Sequence, residues 1–79
     1  PGRSRGRGAG YQRQLSARER EVLTCVGEGL TNSEIAERLY LAETTVKTHI
    51  GHILSKLGLR DRVSMVITAY DAGLVRPGR

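Results

Sequence analysis

At 79 residues the chain has room for one small domain, because a chain of this size buries only about 60% of the surface it exposes when unfolded. With three Tyr and neither Phe nor Trp, its core must be Leu, Val and Ile packed between helices, with no space for a cofactor. A single cysteine, Cys25, excludes an internal disulfide, and no stretch is long or apolar enough for a signal peptide or a membrane span, so a cytoplasmic setting is expected. The formal charge of +5 points to a polyanionic partner, but Arg3, Arg5, Arg7 and Arg13 stand unopposed in the first 14 residues. Beyond them nine bases face eight acids, so nucleic-acid binding has to rest on where a few bases point.

Residues 1–14 have no apolar periodicity and read as a flexible Arg/Gly-rich linker or arm, able to touch phosphates without reading bases. The opening Pro1 suggests a piece of a longer chain. Residues 15–79 read as the folded domain. Ser16 with Glu19 forms the pattern of a capping box and starts a first helix, which places Leu15, Val22, Leu23 and Val26 on one face and ends at Gly27 and Gly29. Thr31 with Glu34 repeats the box for a short second helix carrying Ile35, Ala36 and Leu39. After a tight break at Tyr40 and Leu41, a third helix runs from about Glu43 to Leu57 and stops at Gly58, a left-handed C-terminal position. Asp61 caps a fourth helix that stops at Gly73. The fold class is all-α, a compact four-helix bundle that contains a helix-turn-helix and follows a flexible basic arm.

On the third helix, Val46, Ile50, Ile53, Leu54 and Leu57 cluster inward, while Thr44, Thr48, Gly51 and Ser55 form a small, uncharged outer stripe. Lys47 flanks that stripe on one side, and Thr45, His52 and Lys56 flank it on the other. Small residues against base edges with basic and hydroxyl groups toward phosphates is a docking geometry for a major groove. An ordinary amphipathic helix with a polar outer face is the bland alternative. On the fourth helix Val63, Ile67, Tyr70 and Leu74 are expected to face the core. Met65, Ala69 and Ala72, with Val66 at the edge, are then an outward stripe suited to close approach of a second copy.

The blocks Leu15–Leu23, Gly29–Ala36, Thr45–His49 and Lys56–Arg62 together resemble the LuxR-type helix-turn-helix domain, in the version that ends response regulators of the NarL/FixJ group. The resemblance covers residues 15–75. It implies a four-helix unit whose third helix enters the major groove of double-stranded DNA, which binds as a homodimer and follows a receiver or sensor domain. By position it implies base reading by Lys47 and Thr48, beside Thr44 and Gly51 of the outer stripe, and backbone contacts by Thr31, Asn32, Thr45, Lys56 and Arg62. Thr48 and Gly51 stand where family members vary, and Gly51 removes a side chain where some place a basic one. Ala42 stands where the family often has a Ser cap, which should weaken that helix start by about 1 kcal/mol; Glu43 offsets part of this.

No catalytic group or cofactor is expected. His49, His52 and Cys25 are too few to ligate a metal. His49 reads instead as a packed, hydrogen-bonded histidine and Cys25 as a buried thiol. A helical protein-interaction module would turn large apolar anchors outward from the third helix, and none are there. A promoter-reading module of sigma-factor type would share the helix-turn-helix but lack the fourth helix.

Overall fold

The computed structural model describes residues 14–76. The expected arm lies outside the described residues except for Gln14. Four helices follow in order, α1 (Ala17–Gly27), α2 (Asn32–Leu39), α3 (Glu43–Leu57) and α4 (Arg62–Asp71), with no strand among the described residues. The all-α expectation is met.

Three of the four helix starts have a side-chain cap. Both capping boxes form: Glu19 N–H donates to Ser16 Oγ at 3.1 Å while Ser16 N–H donates to Glu19 Oε1 at 2.9 Å. The Thr31–Glu34 pair does the same at 3.1 and 2.8 Å. Asp61 accepts from the backbone of Ser64 at 2.9 Å and from its hydroxyl at 2.8 Å. Only α3 starts without a side-chain cap, as Ala42 predicts.

The helix ends share one device. Gly29, Tyr40, Gly58 and Gly73 all adopt positive φ, and in each case the next residue is a leucine. The amides of Leu30, Leu41, Leu59 and Leu74 reach back to the carbonyls of Cys25, Ala36, Leu54 and Ala69 at 2.9–3.1 Å, and all four side chains pack against the core. This left-handed closure satisfies carbonyls that the helix leaves open and turns an apolar side chain inward. Tyr40 is the one residue with a β-carbon to do so, at φ 60, and its ring is 94% exposed.

Leu15, Val22, Leu23, Val26, Ile35, Val46, Ile53, Met65 and Ala69 make the core, with the thiol of Cys25 among them. Burial raises the pKa of that thiol. At the end of α1 a β-carbon on Gly27 would sit 2.6 Å from Ala69 Cβ and 2.8 Å from Val75 Cγ2. Only glycine fits where α1 and α4 cross.

That crossing reverses the expected faces of α4. Met65 and Ala69 are wholly buried, whereas Val63, Ile67 and Tyr70 are 66%, 56% and 39% exposed. Val66 and Ala72 are half-buried. The small stripe is therefore the side on which α4 lies against α1. Met65 and Ala69, expected at a dimer interface, belong to the core. The pattern misled because both faces are apolar, and closeness to Gly27 selects the one that carries Ala69.

Candidate nucleic-acid interface

The outer face of α3 is built as its periodicity predicts. Val46 and Ile53 are wholly buried and Ile50, Leu54 and Leu57 pack against the core, which turns the opposite stripe to solvent. Thr44, Lys47, Thr48, Gly51, His52, Ser55 and Lys56 are exposed, and Thr45 is half-buried. The Thr48 hydroxyl donates to the carbonyl of Thr44 at 3.1 Å, so its lone pairs and methyl remain outward. A β-carbon on Gly51 would meet nothing within 4 Å, so that glycine leaves open space on the face. At the start of α3 the first amides have no side-chain acceptor, and Glu43 is exposed beside them.

The residues expected to touch a phosphate backbone divide into two groups. Thr31 is exposed at the start of α2, its oxygen held in the capping box. Thr45 and Asn32 are half-buried. Lys56 and Arg62 are engaged internally. Lys56 Nζ lies 2.8 Å from Glu19 Oε1, and His52 Nδ1 lies 3.9 Å from Glu19 Oε2. Arg62 crosses from α4 to donate to Asn32 Oδ1 and to the carbonyl of Leu30, both at 2.7 Å.

Glu19 thus does more than cap α1. Its side chain is 6% exposed, and the hydrogen bond from Lys56 holds its carboxyl below the usual value against the opposing effect of burial, with Ser16 N–H helping. This buried carboxylate fastens the C-terminal half of α3 to α1. Capping explained Glu19 completely in sequence, so its partner 37 residues away left no signal. Arg62 likewise gave no hint of its internal role. His49 is packed as expected, but its Nδ1 is buried without a hydrogen-bond partner among the described residues, contrary to the bonded histidine predicted. The exposed apolar face of α4 is the third feature the sequence did not reveal, although its Val63, Ile67 and Tyr70 spacing is visible there.

Residues 13–69 match the model of the family described as bacterial regulatory proteins, luxR family. The chain is 50% identical over 60 residues to the transcriptional regulatory protein LnrK of Bacillus subtilis (strain 168), covering 76% of this chain and 27% of LnrK. It is 41% identical over 63 residues to the DNA-binding transcriptional activator DevR/DosR of Mycobacterium tuberculosis (strain ATCC 25618 / H37Rv), covering 80% and 29%. Among solved structures it is similar to the response regulator ChrA of a heme-sensing two-component system, with a TM-score of 0.69, 44% identity, and coverage of 77% and 30%. The chain spans less than a third of the length of each of these three.

Proposed function

The chain belongs to the luxR family of bacterial regulatory proteins, and from that premise we propose that residues 15–79 bind double-stranded DNA sequence-specifically as the output end of a transcription regulator. The observation that carries this reading is the outer face of α3, small and uncharged along its middle and exposed from Thr44 to Lys56. Such a face lets backbone approach the floor of a major groove. Thr44, Lys47, Thr48 and Gly51 face base edges, and Thr31, Asn32 and Thr45 meet the flanking backbone, with Lys56 at the rim beside Glu19.

Two copies act together. The surface for their contact is Val63, Ile67 and Tyr70 of α4, an exposed apolar stripe with one-turn spacing. In the full-length protein a receiver domain precedes the unit, as the relatives named response regulators suggest, and its phosphorylation brings the copies together. Residues 1–14 are then the linker, and the site of action is the cytoplasm, where bacterial DNA lies. No helix among the described residues is long and apolar enough to cross a membrane.

Selection of bound sequences from random duplex DNA, followed by footprinting, tests this. The expected result is a palindromic consensus with half-sites about one helical turn, roughly 10 base pairs, apart. Failure to enrich any consensus overturns the reading.

A further inference from the structure

Arg62 is the first residue of α4 and Asn32 the first of α2, yet their side chains meet across 30 residues of sequence. One guanidinium nitrogen donates to Asn32 Oδ1 at 2.7 Å, and the other donates to the Leu30 carbonyl at 2.7 Å. A guanidinium has only protons to give, so the amide atom that faces it must be the oxygen. The planar amide then turns its NH2 group away from Arg62. Both residues are half-buried and share an open depression with Thr31, Ser33 and Glu43. The carboxylate of Glu43 lines the same depression, so net positive charge is not what would draw a phosphate there.

We propose that Arg62 is a positioning residue for DNA binding: it holds the Asn32 amide so that Nδ2 points outward and donates to one backbone phosphate. Arg62 does not touch the phosphate itself. This inference rests on the DNA-binding reading above and assigns roles within the same surface. A tie that only braced α4 against α2 would leave the orientation of Asn32 without consequence, and the two accounts separate at single phosphates.

The test is a titration by fluorescence anisotropy against the selected duplex carrying one charge-neutral methylphosphonate linkage at a time. The wild-type chain is expected to lose about tenfold in affinity at the linkage that Asn32 contacts. Asn32→Asp keeps an oxygen facing Arg62 but has no proton to give and adds a negative charge, so it should bind the unmodified duplex about tenfold more weakly and lose no further affinity at that linkage. Arg62→Met should become indifferent to the same linkage while remaining sensitive at the others and keeping its consensus. Arg62→Lys, which retains the charge but reaches one acceptor, should recover part of the effect. Sensitivity at that linkage retained by a folded Asn32→Asp variant overturns the proposal, as does its retention in Arg62→Met. If Arg62→Met does not fold, Arg62→Lys decides in its place, and undiminished wild-type sensitivity at that linkage overturns the proposal. A wild-type chain that selects no consensus overturns the DNA-binding reading first, before any variant is made.

Discussion

α3 and α4 both lie with one side in the core, and they differ in what they turn outward. α3 exposes threonines, a glycine, a serine and lysines, whereas α4 exposes Val63, Ile67 and Tyr70 and hides Met65 and the small Ala69. They are also seated differently on α1. α4 is seated by shape, at the Gly27–Ala69 crossing, and α3 by its apolar side together with the Glu19–Lys56 ion pair. The side of a helix that goes inward is therefore the one its neighbour can approach, and it need not be the bulkier apolar side.

The largest expected effect comes from charging the hidden side of α4. Ala69→Glu places an unpaired carboxylate against Gly27 and should cost more than about 4 kcal/mol, most of what a marginal domain has. Thermal melts followed by circular dichroism should show it largely unfolded. Ile67→Glu, on the exposed side, should melt within about 1 kcal/mol of wild type but no longer fill two half-sites cooperatively. Equal melts for the two variants would mean that the faces are not as described.

The outer side of α3 is expected to be sensitive in binding instead. Lys47→Ala should lose roughly 1 to 3 kcal/mol of specific affinity, while Ser55→Ala changes little. Anisotropy titrations at one fixed salt concentration compare them. Unchanged affinity in the Lys47 variant would remove α3 as the reader.

The seat of α3 should be sensitive to acid. The Lys56 hydrogen bond lowers the folded-state pKa of Glu19 below its ordinary 4.5. A depressed carboxylate contributes stability above the unfolded value, and that contribution is lost as pH falls through the folded value. Glu19→Gln should therefore lower the neutral-pH stability by about 1 kcal/mol and flatten the loss below pH 4.5. Denaturant titrations from pH 7 to pH 3 measure both, and parallel profiles would show that the pair does not seat α3.

The smallest effect concerns the turn that leads into α3. Tyr40 adopts the left-handed conformation with a β-carbon and buries almost nothing. Tyr40→Gly relieves that strain and should gain about 1 kcal/mol in chemical denaturation with the binding consensus unchanged. A loss of stability would show that the exposed ring contributes something the turn geometry does not reveal.

What the sequence determined by itself was local. Ser16 with Glu19, Thr31 with Glu34, and Asp61 mark helix starts because cap and amide lie within three residues, and Gly29, Gly58 and Gly73 mark ends because left-handed backbone favours the residue without a β-carbon. The outer stripe of α3 was legible for a similar reason: its inward side is aliphatic and its outward side is not, so one period admits one orientation. Only the tertiary structure decided the rest. α4 is apolar on two sides, and its orientation follows from how closely Gly27 lets Ala69 approach, a distance that no spacing within α4 encodes. Lys56 and Arg62 each looked like surface cations until the fold brought Glu19 and Asn32 beside them, because pairings 30 or 37 residues apart exist only after the helices have packed.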